Sequence, residues 1–227
     1  MADQTSIIRA EFDRIASLAD DERWNQNSHY HDFLLRHVPL NCRNALEIGC
    51  GKGAFSRRLA SRSEHVLALD LSPEMIRIAR ERSRQFANID FQVADVVARD
   101  FPDEEFDCIA TIATMHHLPM KLMLSKCKRA LKPGGVILIL DLDEPEGIYG
   151  ALTYVMAMPV SVGFRLLKQR RLRAPAAVRA AWAEHAQYDS YPTLSEVRAT
   201  CAGILPGARV RKHLLWRYSV VWKKVVI

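Results

Sequence analysis

The chain has 227 residues, 49% apolar and 26% charged, a balance that suits one globular domain with a full core and excludes a largely disordered chain. Cys42, Cys50, Cys108, Cys127 and Cys201 are widely spaced and odd in number, so neither a disulfide framework nor a C-x-x-C pair is present and no metal is expected. The net charge of +6 is uneven: thirteen Lys/Arg face three Asp/Glu from residue 165 onward, against nineteen and twenty-three before it. Such a basic third suits a solvated face, nucleic acid, a membrane surface or an anionic substrate. The first residues show no basic region followed by an apolar core, so no secretory signal is read and a cytoplasmic location is expected.

Residues 7–18 place Ile8, Phe12 and Ile15 on one helical stripe. The segment 24–31 is crowded with aromatic and hydrogen-bonding side chains, and His29, Tyr30 and His31 are pocket candidates there. A second helix is expected from about 30 to 37. An apolar run ending at Ile48 reads as a buried strand. Gly49, Gly51 and Gly53 then allow a tight turn and close approach to a ligand, and helical spacing resumes at Ala54, Phe55 and Leu59. Strand, glycine turn and helix form the entrance of a nucleotide-type cofactor site, and the spacing fits nicotinamide and flavin proteins as well.

Residues 65–70 form a second strand that ends in Asp70, 23 residues after Glu47. A carboxylate there has the acceptor oxygens for both hydroxyls of a ribose. Ser72, Pro73 and Glu74 are a helix start, with the helix running to about Phe86. Strands follow at 89–95, again ending in an acid, and at 106–112, with His116 and His117 in the loop after it. A helix over 120–131 is stopped by the breaker at 132–135, and 136–142 is the most apolar strand. Asp141 and Asp143, two apart at its end, are expected on one face. Five strands alternating with helices, apolar on both faces, predict a parallel sheet covered by helices.

The pattern then changes. Residues 147–164 carry no charge, and Ile148, Leu152, Val155, Met156 and Val160 follow helical spacing. At 18 residues the segment approaches transmembrane length. Pro159, Gly150, Gly163, Thr153 and Ser161 argue instead for a lid or substrate-pocket helix. Residues 165–179 read as a basic helix, and the stretch 165–173 beside an apolar helix is of the kind that docks peripherally on anionic membranes. Thr193 and Glu196 form a capping box. Residues 208–215 and 217–226 read as two strands joined by a very tight turn at Trp216, an antiparallel hairpin.

With these pieces in place the sequence resembles the class I S-adenosylmethionine-dependent methyltransferases, small-molecule branch, over residues 40–145 and at the hairpin. The resemblance rests on Glu47 with Gly49, Gly51 and Gly53, Asp70 ending strand two, Ala94 and Asp95 ending strand three, Phe106 and Asp107 opening strand four, and Leu131 to Gly135 before strand five. It implies an α/β, Rossmann-like, doubly wound seven-stranded sheet, mostly parallel with an antiparallel C-terminal strand, and a helical lid insertion after strand five. The chain then divides as one domain into an N-terminal helical cap (1–40), a cofactor-binding core (41–145), a helical lid and substrate region (146–192), and a last helix with the hairpin (193–227).

The resemblance also implies roles. The backbone of Gly49, Gly51 and Gly53 would pass the methionyl part of S-adenosylmethionine, and Glu47 would order that loop and interact with the amino group. Asp70 would hold the ribose, with Leu71 and Met75 as apolar cover. Asp95 would accept from the adenine amine, with Val96 flanking the ring, and Cys50 and Ile112 complete the expected cofactor set. His116 and His117 match a His-His-Leu that family members often carry after strand four. They are candidate general bases, the alternative being that they cap the following helix or pack as scaffold, as the motif does in many family members. His185 and Tyr188 are further pocket candidates. The expected acceptor is an O, N or C atom of a small hydrophobic or amphipathic metabolite, and the product is S-adenosylhomocysteine. A nicotinamide reductase leaves Asp95, the Pro-Gly-Gly turn and the hairpin unexplained. An RNA methyltransferase using the basic third lacks an appended RNA-binding module and an Asn-Pro-Pro-Tyr-type motif, so nucleic acid is not the expected partner. A non-catalytic cofactor binder is the third alternative. Oligomeric state is not legible.

Overall fold

A computed structural model of the protein describes residues 4–18, 24–170, 176–187 and 189–226. Its strands are Cys42–Ile48 (β1), Ser63–Asp70 (β2), Ile89–Val93 (β3), Phe106–Ile112 (β4), Leu131–Asp141 (β5), Arg209–His213 (β6) and Arg217–Lys223 (β7). They hydrogen-bond as one sheet in the order β3-β2-β1-β4-β5-β7-β6. The first five pair in parallel, and β7 lies antiparallel between β5 and β6. The expected α/β sheet is therefore present in number, direction and insertion of the last strand.

Alternation along the strands builds two cores. Ala45, Val66, Ala68, Leu138 and Leu140 face one side, while Leu46, Ile48, Leu69, Ile137 and Ile139 face the other, because successive side chains leave a strand on opposite faces. The first layer is covered by Ala54–Ala60 (α3) and Pro73–Arg82 (α4), through Phe55, Leu59, Ile76 and Ala79. The second is covered by Met120–Ala130 (α5) and Leu194–Ile204 (α8), through Met123, Leu124, Val197 and Cys201. All five cysteines are free and buried.

Two helix starts follow the sequence reading. Ser72 accepts from the Met75 N–H with Pro73 at the first position, and Thr193 with Glu196 makes the reciprocal capping box of α8. Other boundaries move. The expected helix near 30–37 is a 3-10 turn, Ser28–Tyr30, followed by the short His31–Leu35 (α2). Residues 132–135 do not precede β5 but lie within it. Leu131 pairs with Phe106 and the register resumes at Val136 with Cys108, so the extra residues form a bulge. The backbone still finds partners there: Gly134 N–H donates to Lys224 O and Lys224 N–H to Gly135 O, both at 2.9 Å.

The hairpin turn takes three residues rather than one, with Leu215 and Trp216 both left-handed at φ 59° and 58°. The apolar segment and the start of the basic one are a single helix, Gly147–Gln169 (α6), which passes through Pro159 and ends at a left-handed Arg170. The expected basic helix over 165–179 is thus split between α6 and Ala176–His185 (α7), and residues 171–173 of the basic stretch lie outside the described residues. Gln4–Leu18 (α1) packs across α4 and α7.

Candidate active site

In a doubly wound sheet the ligand crevice opens beyond the carboxyl ends of the strands where strand order reverses, here between β1 and β4. β1 ends at Ile48 and the chain turns through three left-handed glycines into α3. A Cβ on Gly49 would lie 2.1 Å from Thr114 Oγ1, so close approach requires glycine there, whereas a Cβ on Gly51 would meet nothing within 4 Å and only the left-handed φ of +50° favours glycine. The loop is held from β2: Gly49 and Cys50 N–H donate to Leu69 O at 2.8 and 2.9 Å. Gly51 N–H donates to Asp70 Oδ2 at 2.8 Å, while Ser72 N–H donates to Asp70 Oδ1 at 2.9 Å. Burial pushes the Asp70 carboxyl up, opposed by these backbone donors.

Glu47 points into the same place and is 2% exposed. The Ser56 hydroxyl donates to it, but burial dominates and pushes its carboxyl up to about 8, with the Asp70 charge adding to the rise. A cavity of about 800 Å³ opens from this loop. One wall carries Phe12 and Ile15 of α1, another Ile112 and the loop after β4, and a third Arg165 and Gln169 of α6 with Trp182 of α7.

The same cavity is lined by a polar cluster. His116 Nδ1 is 2.6 Å from Asp141 Oδ1 and the His116 N–H donates to Asp141 Oδ2 at 3.0 Å. A carboxylate bound by both fixes the Nδ1–H tautomer and leaves Nε2 as acceptor. The His117 ring packs 3.9 Å from that of His116, and its Nδ1 lies 3.4 Å from Asp189 Oδ1. Burial, then the neighbouring His116, hold His117 down at about 4, so it is neutral near pH 7. Asp189 also accepts from the Tyr191 hydroxyl at 2.7 Å. His185 Nδ1 is 3.1 Å from Glu11 Oε2, and Phe12 sets its ring edge against both His117 and His185. Buried Arg217, lowered by burial to about 10, stays charged and donates from Nε to Asn27 Oδ1 at 2.6 Å.

One cavity therefore gathers Glu47, Gly49, Cys50, Gly51, Met75, Ile112, His116 and His117. The other expected residues stand behind its wall. Gly53 is the left-handed N-cap of α3, packed so that a Cβ would strike the Phe91 ring. Asp70 reaches the cavity through the Gly51 N–H, with half-buried Leu71 beside it. Asp95 accepts from the Val97 N–H at 2.9 Å as a turn residue, and Val96 is buried in the second core. Of the pocket candidates, His31 and His185 line the cavity, Tyr30 donates to Leu214 O, and His29 packs on Trp24 and Phe164. Tyr188 lies outside the described residues. Asp141 and Asp143 take separate partners, His116 for the first and Lys212 for the second.

A model of the methyltransferase domain matches residues 45–135. An uncharacterized methyltransferase of Mycobacterium bovis is 30% identical over 212 residues, covering 91% of this chain and 100% of that protein. The chain belongs to the class I S-adenosylmethionine-dependent methyltransferases. A demethylmenaquinone methyltransferase of Tropheryma whipplei is 29% identical over 148 residues, 63% of this chain and 62% of its own. A geranyl diphosphate C-methyltransferase of Streptomyces coelicolor, solved with Mg2+, geranyl diphosphate and S-adenosylhomocysteine, superposes with a TM-score of 0.68. It is 12% identical and covers 99% of this chain and 98% of that one.

The methyltransferase takes S-adenosylmethionine as cofactor, and its glycine loop, β1–β4 crevice and inserted β7 are where the fold requires them. Sequence reasoning missed Phe12, Glu11, Asp189, Tyr191 and Arg217. None belongs to a motif, and only the packing of α1, α7 and the hairpin brings them to the His116–His117 loop.

Proposed function

We propose that this methyltransferase moves the methyl group of S-adenosylmethionine to an O, N or C atom of a small hydrophobic or amphipathic metabolite. The observation that carries the reading is that one largely apolar cavity is lined by both a buried acid, Glu47, and a histidine bonded to an aspartate, His116 with Asp141. Glu47 is a carboxyl without the charge that would justify its burial, and an ammonium group is the complement that would bring it back into the ionised form. The backbone of Gly49, Cys50 and Gly51 passes the methionyl chain, with Gly53 shaping the turn. Asp70 has lone pairs left for the ribose after serving Gly51 and Ser72. Met75 and Ile112, which line the cavity, complete the adenosine side, with Leu71, Asp95 and Val96 behind that wall.

When bound, the cofactor supplies a sulfonium methyl that leaves readily, so much of the rate comes from holding the acceptor in line with it. On the acceptor side His116 Nε2, its tautomer set by Asp141, accepts the proton released as an acceptor O–H or N–H is methylated. His117, neutral and packed on His116, shapes the acceptor wall. The apolar lining and the quinone and isoprenoid substrates in the relatives' names support a lipophilic acceptor. Calorimetric titration with S-adenosylmethionine, together with transfer of labelled methyl into an organic-extractable product, tests the assignment. Absence of cofactor binding by the wild-type protein would sink it.

A further inference from the structure

Helix α6 exposes far more apolar surface than a water-facing helix needs. Ile148, Leu152, Val155, Val162 and Leu166 recur at helical spacing along one side, and Ile148 and Leu152 are 83% and 63% exposed. Met156, Met158 and Leu167 widen the stripe, Leu167 at 79% exposure. From Ile148 to Leu166 it is about 27 Å long at about 1.5 Å per residue. Continuous exposed apolar surface of this extent marks an interaction site rather than ordinary scatter.

The opposite side of the helix is tied down. Trp216 Nε1–H donates to Tyr154 O at 3.1 Å, Gln26 donates to Ser161, Trp24 stacks on Phe164, and Gln169 donates to Trp24 O. By length and composition Gly150–Gln169 suffices to cross a bilayer, but these ties at Tyr154, Ser161, Phe164 and Gln169 hold it flat along the protein body.

Charge identifies the partner. Residues 147–183 contain six Lys/Arg and no Asp/Glu, and Lys168 and Arg170 are exposed at the C-terminal end of the stripe. An apolar stripe flanked by cations matches an anionic lipid surface, where acyl chains receive the stripe and headgroups receive the cations. The cavity is continuous with this face: Arg165 and Gln169 line it, while Leu166 and Leu167 between them point outward.

We infer that α6 docks the protein on an anionic membrane surface, so that the cavity takes its methyl acceptor from the bilayer. The docking stands on the helix alone. The bilayer origin of the acceptor rests on the proposed transfer to a lipophilic metabolite.

The test is sedimentation of the full chain with phosphatidylcholine vesicles and with mixed phosphatidylcholine–phosphatidylglycerol vesicles, without cofactor, beside sedimentation equilibrium without vesicles. Wild-type protein is expected to bind the mixed vesicles in a salt-sensitive manner and neutral vesicles at least tenfold more weakly. Leu152→Ser/Val155→Ser should reduce binding at least tenfold, and Lys168→Glu/Arg170→Glu several-fold, with unchanged circular dichroism. Failure of wild type to bind at low salt overturns the inference, as does binding that neither double variant weakens. A dimer abolished by Leu152→Ser/Val155→Ser would also overturn it, since a second copy would then cover the stripe. Vesicle binding is read without cofactor, so its failure leaves the methyl-transfer reading intact. Failure of methyl transfer by protein that still binds vesicles strikes that reading alone. The bilayer origin of the acceptor is checked with a lipophilic acceptor embedded in the vesicles: Leu152→Ser/Val155→Ser should slow its methylation but not that of a water-soluble analogue, and equal loss on both overturns it.

Discussion

Replacing Glu47 by Gln separates what the acid costs the free protein from what it gives the bound one. Burial lifts the carboxyl from its ordinary 4.5 to about 8. Between those values the folded protein keeps a proton that the unfolded chain has released, so stability falls as pH rises through that window. At about 1.4 kcal/mol per pH unit the loss reaches about 5 kcal/mol near pH 8. Gln carries no such term. Its amide oxygen still accepts from Ser56, so the exchange costs the hydrogen bond at most about 1 kcal/mol.

Urea denaturation of both proteins from about pH 5 to about pH 8 reads this directly. The two should be near parity at the acid end, with Glu47→Gln several kcal/mol more stable at the alkaline end. Added S-adenosylhomocysteine should reverse the order, because its ammonium group restores the charged form in wild type and finds no partner in the variant. Stability curves that run parallel across the range, or equal stabilisation of both proteins by the ligand, would refute the reasoning.

Five further outcomes are expected. Gly49→Ala places a methyl against Thr114 at a left-handed φ, costing at least about 1–2 kcal/mol in backbone strain alone and lowering Tm by several degrees; Thr114→Ala should recover part of the loss, and an unchanged Tm in the single variant contradicts the close approach. His116→Ala should lower turnover at least a hundredfold with cofactor affinity unchanged. Asp141→Asn, acting through the His116 tautomer, should lower kcat and alter the pH–rate profile while leaving KM near its wild-type value; normal kinetics in both variants would retire the pair. Asp70→Ala should weaken S-adenosylmethionine binding tenfold or more by calorimetry, since both the proposed ribose acceptor and the anchor of Gly51 are removed. Finally, His31 and His117 are both held at about 4, chiefly by burial. The unfolded chain therefore takes up protons first as pH falls from about 6.5 to 4, and stability should be lost across that window. A flat Tm there would contradict their burial as neutral rings.

The core from β1 to β5 was legible because each strand is a short apolar run closed by a glycine turn, an acid or a helix cap. Those are local signals that need no knowledge of what packs where. Ser72 with Pro73 and Thr193 with Glu196 began helices as read, since a cap is a bond between residues three apart. Boundaries slipped where a distant partner decided them. Residues 132–135 joined β5 because the C-terminal strand offers Gly134 and Gly135 hydrogen bonds through Lys224. The basic residues after Phe164 continued α6 because no break was imposed before Arg170.

The side of the site proposed for the cofactor was likewise present in sequence as Glu47, the glycines and Asp70, all within one strand–turn–helix unit and its neighbour. The acceptor side was not. His116 was visible, but its partner Asp141 is 25 residues away on β5. Asp189, His185, Tyr191, Arg217 and Phe12 arrive from α7 and the segment after it, the hairpin and α1, elements whose sequences show only amphipathic or basic character. By itself the sequence determined a sheet, a cofactor loop and their order, because those follow from periodicity and short-range bonding. Only the tertiary structure decided which side chains share the cavity and which side of α6 is left bare, because both depend on how separately formed elements pack.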